Sequence, residues 1–225
     1  MPEGSLGYWA DRLTAASVRE VRADELFGAP RLRFEGPDDD SFALVEDRSD
    51  PRTPWLQGGI AGDEAIRGFH SVALRLRDAG RTKELLTFMG YRPVEEKGGI
   101  TRLALDHGNG AHIIDIETLP GTPPADLGAG SVHHVAFAVA DRAAQLEVRK
   151  ALVDTGYQVT PVIDRDYFWA IYFRTPGGVL FEVATNEPGF DRDEDEAHLG
   201  EALKLPSQHA HLRAYLEKHL EPLAD

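Results

Sequence analysis

The chain has no cysteine in 225 residues. Disulfides, thiol catalysis and thiolate metal sites are therefore excluded, and any metal must be held by His, Asp, Glu or Tyr. No apolar run approaches the roughly 18 residues of a transmembrane helix. The first residues lack the basic and apolar stretches of a signal peptide. No membrane partner is expected, and a cytoplasmic location is the default. Positive charge is scarce: 24 Lys and Arg stand against 38 Asp and Glu, a net −14 that argues against a nucleic-acid or anionic-membrane partner. Much of the acidic excess lies in runs such as Asp38-Asp39-Asp40 and Asp191 to Glu196, which read as solvated surface. The hydrophobic share of 42% is enough for a real core, in one domain or two small ones.

A diverged internal repeat organises the chain. Residues 67–118 read as strand (GFHSVALRLR), helix (RTKELLTFMG) and three strands (YRPVEEKG, ITRLALD, AHIIDIETL). Residues 132–185 repeat that order with HHVAFAV, RAAQLEVRKALVDTG, YQVTPVID, YFWAIYFRT and GVLFEVAT. A Gly-Tyr pair follows each helix, at 90–91 and 156–157, where glycine suits a left-handed cap. The segment 119–131 (LPGTPPADLGAGS) reads as a linker. Residues 1–47 look like a third such unit without its first strand, with a helix at SLGYWADRLTAAS and strands at VREVR, RLRFEG and SFALVED. Residues 48–66 read as a loop. Residues 186–225 read as an acidic loop and a C-terminal helix over SQHAHLRAYLEKHLEPL. The expected fold class is α+β, with repeated βαβββ units forming curved mixed sheets.

Alternation then selects candidate site residues, because strand side chains alternate between faces. His134 shares a face with Ala136 and Ala138, and Glu182 shares one with Leu180 and Ala184. An imidazole and a carboxylate beside small neighbours are two-thirds of a 2-His-1-carboxylate metal site. Tyr172 suits general acid–base work or a bond to a substrate hydroxyl. His133, beside His134, points to the opposite face of a regular strand. His70 and Asp115 take the matching places in 67–118, but His70 lies with Val72, Leu74 and Leu76 on a bulky face. In 1–47 the acid position falls on Ala43.

A βαβββ repeat with His on the first strand and Glu on the last resembles the vicinal oxygen chelate superfamily of glyoxalases, bleomycin-resistance proteins and extradiol dioxygenases. VHHVAFAV, YFWAIYFRTPGGVLFEVAT, GFDRDEDEAHLGEALKLP and PEGSLGYWADRL resemble in particular the ring-cleaving dioxygenases that open hydroquinones. The resemblance implies Fe(II), with Mn, Zn or Ni as alternatives, and His134 and Glu182 as metal ligands. It implies catalytic or pocket roles for Tyr172, His133 and Arg165, with dioxygen and a small hydroquinone- or catechol-like aromatic as reactants. It also implies that the chain begins inside the family's second unit, so that the remaining His ligand would lie before PEGSL. An unpartnered unit would expose an apolar sheet face, so homo-oligomer formation is expected. Two other readings stay open: a glyoxalase-like lyase or isomerase that uses no oxygen, and a non-catalytic binding fragment.

Overall fold

The computed structural model describes residues 1–107, 111–123, 128 and 131–221. Part of the expected linker, at 124–127 and 129–130, and the last residues of the expected C-terminal helix lie outside them. The chain divides into two compact units, Met1–His133 and His134–Asp225.

The first unit holds two sheets. α1 (Leu6–Ala15) precedes β1 (Arg19–Leu26), β2 (Ala29–Glu35) and β3 (Ser41–Val45), which form an antiparallel meander. β1 runs four residues beyond the VREVR expected from sequence. Its end pairs with β2 through the two-residue turn Phe27-Gly28, both at positive φ (51° and 75°), as a tight hairpin requires. Polar ADEL gave no strand signal; the turn imposed the register. Trp9, Leu32 and Met1 form the small core beneath α1.

The second sheet of that unit has the order β4-β7-β6-β5. β4 (Ser71–Leu76) pairs in parallel with β7 (Ile113–Thr118), while β6 (Ile100–Ala104) and β5 (Arg92–Lys97) follow antiparallel. α2 (Gly80–Phe88) connects β4 to β5. Leu74, Leu76, Leu103, Ile114 and Ile116 are buried on one face of the sheet, Leu86 of α2 is buried too, and Asp115 lies on the other face.

Residues 50–69 are tied down by one buried carboxylate. Asp50 accepts from Arg52 Nε at 2.9 Å and Nη2 at 2.8 Å, and Arg52 also reaches the Phe69 carbonyl at 2.8 Å. The Arg52 hydrogen bonds hold the Asp50 carboxyl at about 2, below its usual 3.8. A native value below the unfolded one stabilises above the unfolded pKa and is lost as the pH falls through the native one. About 2 kcal/mol of stability should therefore disappear between pH 5 and pH 2. Urea unfolding of wild type and Asp50→Asn at both pH values checks this: the variant should lack that part of the acid sensitivity.

The second unit repeats the order as β8-β11-β10-β9. β8 (Val135–Val139) pairs in parallel with β11 (Leu180–Pro188), and β11 pairs antiparallel with β10 (Phe168–Arg174). α3 (Arg142–Asp154) starts at Asp141, whose carboxylate accepts from the Ala144 amide at 2.9 Å. It ends at Gly156 (φ 94°), where the Tyr157 amide donates to the Leu152 carbonyl and closes a Schellman cap. Leu152, Ile171, Phe173, Phe181 and Val183 form the core between α3 and the sheet. Gln145, fully buried, donates from Nε2 to the Trp169 and Val183 carbonyls at 2.7 and 2.8 Å and so pins α3 across β10 and β11. The strand expected over 157–164 shrinks to β9 (Ile163–Asp164) plus a bridge from Val159 to Phe173. Pro161 has no amide to donate there, and the Thr160 carbonyl turns to Arg149 Nε at 2.9 Å.

The expected C-terminal helix divides into a 3₁₀ stretch, Ser207–Leu212, and α4 (Arg213–His219). No helix among the described residues is long and apolar enough to cross a membrane.

Candidate functional site

The open face of the second unit's sheet carries the candidate residues. Burial on the other side fixes the phase: Phe181 and Val183 pack inward, so Leu180, Glu182 and Ala184 must face the opposite way. In register, Glu182 lies between Ala136 of β8 and Tyr172 of β10. His134 stands just before β8, two residues from Ala136, and so shares that face. Ala136 and Ala138 are exposed there, which leaves space in front of the imidazole.

Two polar groups converge on Glu182, whose side chain is only 4% exposed, and a third backs one of them. His134 Nε2 lies 2.7 Å from Oε2. The Tyr172 hydroxyl donates to Oε1 at 2.9 Å, and Arg165 Nη2 donates to the Tyr172 oxygen at 3.3 Å. The Arg165 guanidinium also sits 5.5 Å from the Tyr172 ring centre. Burial pushes the Tyr172 phenol above its ordinary pKa; the Arg165 hydrogen bond pulls it down and the Glu182 bond pushes it up. The phenol thus keeps its proton at neutral pH and directs it at Glu182. A carboxylate this deep needs such partners, because burial without them is costly.

Of the residues singled out in the sequence, four come together: His134, Glu182, Tyr172 and Arg165. His133 is exposed and stands two residues before β8.

The first unit repeats the acid position with a different solution. Asp115 pairs across its sheet with Ala73 and Arg102, as Glu182 pairs with Ala136 and Tyr172. That register makes Ser71, not His70, the counterpart of His134, and His70 the counterpart of His133. The matching of His70 to His134 expected from sequence is thus off by one residue, and one residue reverses the face. His70 is half-buried with its Nδ1 3.0 Å from Ser71 Oγ; burial lowers its pKa and the Arg102 charge adds to the effect. Asp115 is closed off: Arg102 grips it through Nε–Oδ1 and Nη2–Oδ2, both 2.8 Å, and packs its guanidinium 4.5 Å from the Phe27 ring centre. Arg102 escaped the sequence reading, although ITRLALD places it in phase with the open face.

The donor types at His134 and Glu182 suit a divalent ion. Two donors at right angles, each about 2.1 Å from an ion, lie about 3.0 Å apart. The observed 2.7 Å is a hydrogen-bonded pair that needs to open by only a few tenths of an ångström. Among the described residues no group of three His, Asp or Glu side chains that could hold a metal ion converges.

Residues 68–183 match the Glyoxalase/Bleomycin resistance protein/Dioxygenase superfamily. The chain belongs to that superfamily. Within it, the chain is 36% identical over 225 residues to "Putative ring-cleaving dioxygenase MhqO" of Bacillus subtilis (strain 168), covering 99% of this chain and 70% of MhqO. It is 37% identical over 222 residues to "Chlorohydroquinone/hydroquinone 1,2-dioxygenase" of Sphingobium indicum, covering 92% of this chain and 66% of that protein. A crystal structure of a "putative dioxygenase" from Bacillus subtilis superposes with a TM-score of 0.89 at 35% identity, over 99% of this chain and 71% of that one. The superfamily's members in this group are thus longer than the chain, which spans about seven-tenths of MhqO.

Proposed function

We propose that the chain is a ring-cleaving dioxygenase acting on hydroquinone- or catechol-like aromatics with Fe(II), His134 and Glu182 being two of its ligands. The observation that carries this reading is the 2.7 Å convergence of His134 Nε2 and Glu182 Oε2 on an open sheet face. Relatives named as a putative ring-cleaving dioxygenase and a chlorohydroquinone/hydroquinone 1,2-dioxygenase support the substrate class. When bound, such an ion would supply the means to couple electron flow from an aromatic ring to dioxygen.

The chain's own residues prepare that chemistry. Glu182 supplies the negative charge that favours a divalent cation, and Tyr172 holds its second oxygen so that Oε2 stays turned to His134. Ala136 and Ala138 leave a shallow floor over which a flat ring can lie. Tyr172 keeps its proton on the bond to Glu182, and its oxygen can accept a hydrogen bond from a ring hydroxyl on the same face. Arg165 lies over the Tyr172 ring and keeps positive charge beside the developing anion.

Oxygen uptake tests the reading. Protein loaded with Fe(II) without air should consume oxygen when hydroquinone is added, in proportion to the ring consumed, and His134→Ala should abolish it. Loaded protein that turns over no hydroquinone or catechol would contradict the proposal.

A further inference from the structure

Among the described residues of the second unit, the buried acids are Glu182 and Asp166, and only Glu182 belongs to the site. Asp166 sits in the turn between β9 and β10 at φ 71°, a region that non-glycine residues enter at a cost. Several bonds hold it there. Its amide donates to Asp164 Oδ1 at 2.7 Å. Arg192 Nη1 donates to Asp166 Oδ1 at 3.0 Å and also to its carbonyl, and the Ser207 hydroxyl donates to the same Oδ1. Arg192 and Ser207 belong to the C-terminal segment, which is braced by Lys204 Nζ on the Asp193 carbonyl at 2.7 Å and Arg213 Nη2 on the Leu203 carbonyl at 2.8 Å. The same segment grips the next residue: the Tyr167 hydroxyl donates to Asp193 Oδ2 at 3.1 Å, and its ring stacks on Phe190.

The residue immediately before this strained position is Arg165. Its amide donates to the Phe168 carbonyl at 2.9 Å, and its exposed side chain reaches Tyr172. A long exposed arginine samples many rotamers unless its backbone is fixed. Rotation at Asp166 would swing the Arg165 stem, and the bonds from the C-terminal segment add to those of Asp164 and Phe168 in opposing the relaxation of that positive φ.

We propose that Asp166 is a positioning residue: held by Arg192 and Ser207 of the C-terminal segment, it fixes the turn that aims Arg165 at Tyr172. The segment thereby controls the candidate site through the turn. This rests on the reading of Tyr172 and Glu182 given above, and the test separates the two.

The full chain carrying Ser207→Ala and Arg192→Gln is compared with wild type, with Ser207→Thr as the variant that keeps the hydroxyl. Trypsin cleavage after Arg165, followed by mass spectrometry, should be about tenfold faster in the double variant at temperatures well below its thermal midpoint, because cleavage follows the open population. Ser207→Thr should behave as wild type. In oxygen uptake with hydroquinone, the double variant should lose up to about 100-fold in kcat, the scale of a misplaced positioning group. On an Arg165→Ala background the same substitutions should cost nothing further, since both act through one side chain. Unchanged cleavage after Arg165, or kcat losses that add on the Arg165→Ala background, would overturn the proposal. If wild type consumes no oxygen, the reading of the site fails and the cleavage rates alone decide the clamp.

Discussion

Glu182→Gln is expected to abolish iron-dependent oxygen uptake while leaving the second unit folded. The substitution keeps the side chain's shape and an acceptor for the Tyr172 hydroxyl, which now lies 2.9 Å from Oε1. It removes the negative charge that a divalent ion requires. Loss of a partner outside the ligand set already costs about 10–100-fold in metal affinity, so loss of a ligand carboxylate should exceed about 100-fold. Folding should not suffer, because a neutral amide is cheaper to bury than a carboxylate. Bound iron measured by elemental analysis, with a circular-dichroism melt on the same sample, separates the two effects. Iron content and uptake within twofold of wild type would remove Glu182 from the proposed ligand set.

Arg102→Met should show the reverse pattern, a large loss of stability with no direct effect on the candidate site. Asp115 is buried, and Arg102 holds both of its oxygens. Arginine stays charged at every accessible pH, so the pair does not switch off. Removing one partner of such a pair leaves an uncompensated buried charge and costs about 3–5 kcal/mol. The double substitution Arg102→Met/Asp115→Leu should recover most of that, since apolar residues of similar size replace buried pairs at little cost. Urea unfolding followed with probes in the first unit provides the comparison. Equal stability of Arg102→Met and wild type would show that Asp115 is satisfied by other groups. The contrast between the two acids is chemical: Asp115 carries a permanent cation in front of it, whereas Glu182 faces an imidazole and a phenol, groups that leave room for an exchangeable ion.

Alternation made much of this legible. His134 and Glu182 fall on the open face because Phe181 and Val183 demand the other one, and a two-residue period allows no compromise. The Gly156-Tyr157 cap was equally readable, since only a left-handed residue closes that helix end. Similar-looking motifs misled where register decided: FHSVAL and HHVAFA align by eye on their histidines, yet the pairing of Ala73 with Asp115 shifts the match to Ser71. The bulky companions of His70 already carried that signal. Arg102 and Asp166 were not found because their importance lies in partners far along the chain, Asp115 and Phe27 for one, Arg192 and Ser207 for the other. Nothing local in ITRLALD or DRDYF names those partners.

Metal binding by His134 and Glu182 together is what the proposed function requires. An air-free titration of Fe(II) into wild type, His134→Ala and Glu182→Gln measures it most directly, without requiring turnover. The expected result is a bound ion in wild type that is lost from each variant separately. Equal binding by all three proteins would contradict the account.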